Sequence, residues 1–214
     1  MRHAHPHPVN PFPWGRQALC LAPSIVMLGV LAFGTGTGDT LTLFFKTAQE
    51  SLPRVVFFMD LVSDQMSHLF YLIYALLLFK GILDKNKKLI IFVGAVLLAQ
   101  VCISLILVNL VKFLVGSPRP LPALGGASFM PFSFDDSFQS FPSGHTTHIT
   151  ALASPLILMR PDKLQAFILG LAIALVAFSR IFLSKHHLVD IAGGMLFGLA
   201  AVLLVHHLCS RDVP

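Results

Sequence analysis

Charge is what this chain of 214 residues has least of. Its fifteen basic and ten acidic side chains make only 12% of the total, against about a quarter in an ordinary soluble domain. With 55% hydrophobic residues and a mean hydropathy of +0.79, it cannot clothe a water-soluble globule of this size. Three cysteines, Cys20, Cys102 and Cys209, each sit in an apolar stretch, so neither a disulfide framework nor a metal knuckle is built from them. The fifteen glycines show no triplet period, which excludes a collagen-like chain, and the apolar content excludes a disordered one. One Trp and two Tyr stand beside nineteen Phe, so most rings read as core or lipid-facing. The basic residues form no run or stripe beside aromatics, which speaks against a nucleic-acid partner. None of Asn10, Asn86 and Asn109 opens a glycosylation sequon, and the compact form with short loops has a bacterial look. There is no internal repeat of roughly 20–50 residues and no glycine-broken pair of spans in matching positions, which weighs against an inverted-repeat transporter.

What remains is an integral membrane protein of the all-α class. Six stretches approach the length of about 20 apolar residues that a hydrocarbon core requires. They are Gln17–Gly34, Met66–Leu83, Leu89–Leu110, Thr146–Met159, Leu164–Leu183 and Ile191–Cys209. The expectation is a six-helix bundle forming one membrane-embedded domain over 17–210, behind a disordered tail of residues 1–16. The histidines of that tail, His3, His5 and His7, read as tail composition rather than a metal site. The first stretch exceeds a signal-peptide core and ends without an Ala-x-Ala site, so it is expected to stay as an anchor. The fourth is short and follows Phe141-Pro-Ser-Gly-His145, so its helix should start inside a protein-lined cavity. Asp39–Gln65 carries too much charge to cross; its apolar patches Leu41–Phe45 and Val55–Met59 suggest interfacial helices broken at Pro53.

Six spans put both termini on one side. If that side is the cytoplasm, nine basic residues lie inside and six outside, with Asp84-Lys-Asn-Lys-Lys88 as the strongest vote. The expected location is the cell (inner) membrane with both termini cytoplasmic. Lys112, His145 and Arg180 then share the outer, periplasmic face, because no span separates the first pair and two spans separate the second. Lys112, Arg119 and Arg180 supply fixed positive charge, and arginine also matches phosphate oxygens with two donors. Ser143 and Gly144 stand at a helix N-terminus, where free N–H groups and the helix dipole attract an anion. His186 and Asp190 are four apart, hence on one helical face. A carboxylate there can hold one ring N–H and leave the other nitrogen as a nucleophile. His145 is the candidate proton donor. The group His186-His187…Asp190 lacks a further ligand at supporting spacing, so no metal and no cofactor are expected. Neither His187 nor His148 belongs to this set; packing or support is their expected role.

These residues fall into three patterns. Lys112-Phe-Leu-Val-Gly-Ser-Pro-Arg-Pro120 resembles the first signature (K-x6-R-P) of the type 2 phosphatidic acid phosphatase superfamily. Pro142-Ser-Gly-His145 resembles its second, and Ser179-Arg-Ile-Phe-Leu-Ser-Lys-His-His-Leu-Val-Asp190 its third (S-R-x5-H-x3-D). The resemblance implies that His186 attacks phosphorus, that Asp190 orients it, and that His145 protonates the leaving oxygen and later activates water. It implies that Lys112, Arg119, Ser143, Gly144 and Arg180 hold the phosphoryl oxygens, and that no divalent metal is needed.

The expected activity is hydrolysis of a lipid phosphomonoester or pyrophosphate through a phosphohistidine. Candidate substrates are phosphatidate, phosphatidylglycerol phosphate, a polyprenyl pyrophosphate or a lipid A phosphate, with the lipid in the bilayer as partner. Alternatives are a phosphotransferase passing the phosphoryl group to another lipid and, from a different class, a proton-coupled transporter. Head group and oligomeric state, including a homo-oligomer, are left open by the residues. The segment between Pro120 and Phe141 carries Phe129, Met130, Phe132, Phe134 and Phe138; dipping into the bilayer edge and capping the helix ends are both open for it.

Overall fold

The computed structural model describes residues 11–34, 38–120, 128–159 and 162–209. All regular structure among them is helical: α1 (Trp14–Gly34), α2 (Asp39–Ser51), α3 (Pro53–Leu83), α4 (Lys87–Ala99), α5 (Val108–Val115), α6 (Gly144–Ala153), α7 (Leu156–Met159), α8 (Lys163–Phe182) and α9 (Leu188–Cys209). A π-helical stretch, Gln100–Leu107, joins α4 to α5, so that Lys87–Val115 runs as one span. Local chemistry sets several of the ends. The side chains of Asn86, Ser143 and Asp162 accept the amides of Leu89, Thr146 and Leu164, capping α4, α6 and α8. Gly116, in the left-handed region at φ 57°, closes α5 by donating its N–H to the Lys112 carbonyl.

Five helices are long and apolar enough to cross a membrane: Trp14–Gly34, Pro53–Leu83, Lys87–Val115, Lys163–Phe182 and Leu188–Cys209. The sixth expected span is not one helix. It is α6 and α7, parted at Ser154–Pro155, because Pro155 has no N–H to give the carbonyl one turn back. The interfacial region is also different from expectation. The break at Pro53 is present, with Pro53 at the N-terminus of α3, and α2 stands alone as a helix whose Leu41 and Phe45 are buried. Val55–Met59, however, is no separate element. It is the opening of a 31-residue α3 that runs on through Leu83 without a breaker. At 1.5 Å per residue α3 is about 46 Å long, well beyond a hydrocarbon core of about 30 Å. Trp14–Arg16, expected in the tail over 1–16, are instead the first residues of α1, after Pro13; residues 1–10 lie outside the described residues.

The bundle is apolar outside as well as inside, with Val30, Leu76, Leu105 and Leu196 exposed around its girdle. Burial of oil from water cannot then hold the helices together, and close packing must. Glycines make that approach. A Cβ on Gly170 of α8 would stand 2.1 Å from the Cys20 carbonyl oxygen of α1. On α9, a Cβ at Gly194 would come 2.7 Å from the Ser143 carbonyl and one at Gly198 would come 2.4 Å from Thr150 Cβ. The Gly194/Gly198 pair is therefore spent inside the bundle, against α6. Gly194→Ala is expected to destabilise the protein by about 1–3 kcal/mol, the usual cost of overpacking. Gly94→Ala, where nothing lies within 4 Å, should leave thermal unfolding in detergent unchanged.

Candidate active site

The three patterns converge because three turns are fastened to one another. After Gly116 the chain doubles back along 133–140: the Arg119 amide donates to the Ser137 carbonyl (2.8 Å) and the Ser140 amide to that of Ser117 (2.9 Å). This places the Gln139 carbonyl 3.1 Å from Lys112 Nζ and that of Asp136 2.8 Å from Arg119 Nε. The Ser143 amide then donates to the Asp190 carbonyl (2.9 Å), which joins the start of α6 to the start of α9. The turn between α8 and α9 is held from α2, where Gln49 Nε2 donates to the Phe182 carbonyl (2.6 Å) and to Ser184 Oγ (3.1 Å).

His186 and Asp190 form the buried centre. His186 is 4% exposed and Asp190 0%. His186 Nδ1 lies 3.5 Å from Asp190 Oδ2, and the same oxygen accepts Ser140 Oγ–H (2.5 Å) and the His187 amide (2.8 Å). With Nδ1 turned to the carboxylate, Nε2 is the nitrogen left to act. Loss of water holds the His186 pKa well below the ordinary imidazole value, down to about 4, although Asp190 pulls the other way. The ring is therefore neutral through the physiological range. The charges of Lys112 and Arg180 both act on it.

Arg180 is 8% exposed; its Nη1 donates to Ser63 Oγ of α3 (2.6 Å), while its Nε is buried with no protein partner. His145, in the first turn of α6, lies within electrostatic reach of Arg180, His186 and Lys112. Its side chain is 41% exposed, with Nε2 4.0 Å from Asp64 Oδ1, too far for a hydrogen bond. Gly144 faces Lys112: a Cβ there would sit in ordinary contact, 3.8 Å from Lys112 Nζ.

A cavity of about 700 Å³ opens beside these groups. Lys112, Gly144 and His145 line it together with α3; Arg119, Ser143, Arg180, His186 and Asp190 are outside its lining. Among the described residues no three His, Cys, Asp or Glu side chains gather as a metal-holding group.

Sequence reasoning missed the α3 wall and the serines. Asp64 reads in sequence as one more charge too many for a membrane, yet it faces His145. Ser140 and Ser63 belong to none of the three patterns, and only the fold reveals what they touch. His148 has a supporting contact, its Nε2 2.9 Å from Tyr71 Oη. In the aromatic loop, Phe132 and Phe134 lean on Phe113 (ring centres 5.6 and 4.7 Å) but leave large faces bare, Phe134 being 84% exposed.

A desolvated imidazole held by a carboxylate, beside Lys, Arg and a capped helix N-terminus at one end of a helical bundle, is the equipment of phosphoryl transfer. Residues 88–213, more than half of the chain, match the model of the PAP2 superfamily, and the chain belongs to that superfamily. It is also similar to two proteins named lipid A 1-phosphatase. One, from Rhizobium johnstonii, is 36% identical over 122 residues, which is 56% of this chain and 49% of the relative. The other, from Rhizobium etli, is 38% identical over 109 residues, or 50% of this chain and 46% of the relative. The match thus spans about half the length of these relatives. No solved structure matches.

Proposed function

We propose that this protein is an integral-membrane lipid phosphatase that hydrolyses a lipid phosphomonoester or pyrophosphate through a phosphohistidine, with no divalent metal. The observation that carries the reading is the buried His186–Asp190 couple next to Lys112, Arg180 and the amide end of α6. His186 Nε2 attacks phosphorus, and the bond from phosphorus to the lipid oxygen breaks. His145 gives its proton to that oxygen, releasing the lipid alcohol or, from a pyrophosphate, the lipid monophosphate. A water then loses its proton to His145 and attacks phosphorus; the P–N bond breaks, phosphate leaves and His186 is neutral again. Lys112, Arg119, Arg180 and the amides of Ser143 and Gly144 take up charge on the three phosphoryl oxygens as it grows. The names of the relatives support a lipid phosphate as substrate, lipid A-type phosphates among the candidates.

In the same reading α6 and α7 complete a sixth crossing, both termini are cytoplasmic, and the site faces outward. Lys80, Lys85, Lys87 and Lys88 at the α3–α4 turn support this, since they cluster at the end of the bundle opposite His145. The deciding experiment is release of free phosphate by purified protein from phosphatidate, phosphatidylglycerol phosphate, a polyprenyl pyrophosphate and lipid A. It is paired with acid quenching to trap a phosphoenzyme. Release that persists in EDTA supports the mechanism; loss in EDTA with recovery in Mg²⁺ or Zn²⁺ overturns it.

The pH dependence follows from His186. Its attack needs the neutral ring, so the acid limb of kcat/KM is expected well below the usual histidine value of 6.5, toward about pH 4. Stability has the same sign. Between those two values the unfolded chain takes up a proton that the folded chain refuses, so this contribution is complete above about 6.5 and is lost as pH falls. A pH–rate profile and thermal unfolding from pH 4 to 8 check both.

A further inference from the structure

The rings of the loop ahead of α6 take no part in the phosphoryl chemistry. Residues 128–134 read Ser-Phe-Met-Pro-Phe-Ser-Phe and carry no charge. Phe129, Met130, Phe132 and Phe134 are each more than half exposed. An apolar patch left bare in this way marks an interaction surface. The loop does not hang free. The Met130 amide donates to the Gly116 carbonyl (2.8 Å) and the Phe132 amide to that of Phe113 (2.6 Å), tying both to the end of α5. Gly116 is needed there, since a Cβ on it would stand 1.7 Å from the Met130 carbonyl oxygen. Phe132 takes up φ 63°, in the left-handed region that bulky side chains rarely adopt. The backbone is thus pinned against the helix while the rings face outward.

What the rings lean on says what they meet. Phe132 and Phe134 rest on Phe113 of α5. Leu110 and Leu114, on the same helical face as Phe113, are exposed in the apolar girdle. The loop therefore continues a lipid-facing stripe past the end of its helix. A cap would turn these rings onto the helix ends, whereas their ring contacts run along the flank of α5. No cation in 128–134 draws anionic head groups, so the chemistry on offer is that of hydrocarbon. Lys112, one residue before Phe113, lines the cavity, so the stripe ends beside it.

We propose that Phe129, Met130, Phe132 and Phe134 form a wedge seated among the acyl chains of the bilayer, bordering the cavity where a lipid-borne substrate arrives. The seating stands apart from the phosphatase reading; its effect on turnover rests on that reading.

The reporter is Phe134→Trp in a Trp14→Phe background, since Trp14 is the sole tryptophan. In phosphatidylcholine nanodiscs, a wedge sunk about 5–10 Å into the head-group and acyl boundary puts this indole beside chains brominated near the glycerol, which are expected to quench its emission by about half or more. Acrylamide in the water is expected to quench it little. Strong acrylamide quenching without bromine quenching overturns the wedge. Quenching by neither overturns it too, and means that protein covers the loop, a second copy included. Phe132→Ser/Phe134→Ser, checked for unchanged thermal unfolding, is expected to lower kcat/KM about fivefold or more on phosphatidate in vesicles and less than about twofold on a dihexanoyl analogue in solution, because only the first comes from the bilayer. Equal slowing on both probes overturns the role at substrate arrival and returns the loop to shaping the cradle. If the wild type releases phosphate from neither probe, the phosphatase reading falls and the quenching alone decides the wedge.

Discussion

His186→Ala is expected to abolish phosphate release and phosphoenzyme formation together, with a fall in kcat of about 10⁴–10⁶-fold, the scale seen when a nucleophile is removed from a concerted set. In the proposed mechanism the two readouts must move as one, since its first half-reaction uses Nε2 of this ring. His187→Ala is the matched control. That ring sits one residue on and contributes its backbone amide to Asp190, so the variant keeps the contact and should retain most activity. A phosphoenzyme still trapped in His186→Ala would move the nucleophile elsewhere. Thermal unfolding of both variants separates chemistry from folding, because His186 is packed and its truncation leaves a small void.

Asp190→Asn is expected to lower kcat by about 10⁴-fold with little change in KM, the size of loss that a reversed imidazole tautomer brings to a His–Asp couple. The carboxylate can only accept, so Ser140, the His187 amide and His186 Nδ1–H all point toward it. All three donors meet one oxygen, Oδ2, while Oδ1 is buried with no partner in the protein, so a substituted amide can stand with either its oxygen or its NH₂ in that place. Turned to His186, the NH₂ makes Nδ1 the acceptor and puts the ring proton on Nε2, where the lone pair is needed. The single-turnover rate of phosphoenzyme formation reads this directly. A variant that is less stable but keeps its kcat would reduce Asp190 to a packing role.

How much of this was legible in the sequence depended on whether an interaction was local. His186 and Asp190 declare themselves by a spacing of four, and Ser143 and Gly144 by the chemistry of a helix start. The turn of α3 toward the site could not be read that way. Charge at Asp60 and Asp64 argues against a buried or lipid-facing helix, yet α3 continues through both because it is longer than a hydrocarbon core, and it sets Asp64 in the cavity wall. Ser63 meets Arg180 across 117 residues of chain and Ser140 meets Asp190 across 50; nothing periodic links such pairs. The fourth apolar stretch read as one short span because hydropathy does not register the amide that Pro155 lacks.

The brevity of α6 and α7 has a consequence for the lipid itself. From Gly144 to Met159 the rise is about 24 Å, roughly 6 Å less than the hydrocarbon thickness. If α6 and α7 make the sixth crossing proposed above and the shortfall falls at the cradle, the amide end of α6 is sunk beneath the interface on its own side. Hoisting a phosphate clear of its neighbours would drag four or five methylenes of each tail into the head-group zone, at about 0.8 kcal/mol apiece. A recessed anion cradle meets the phosphate at the depth where it already floats, so lengthening the tails should leave turnover untouched.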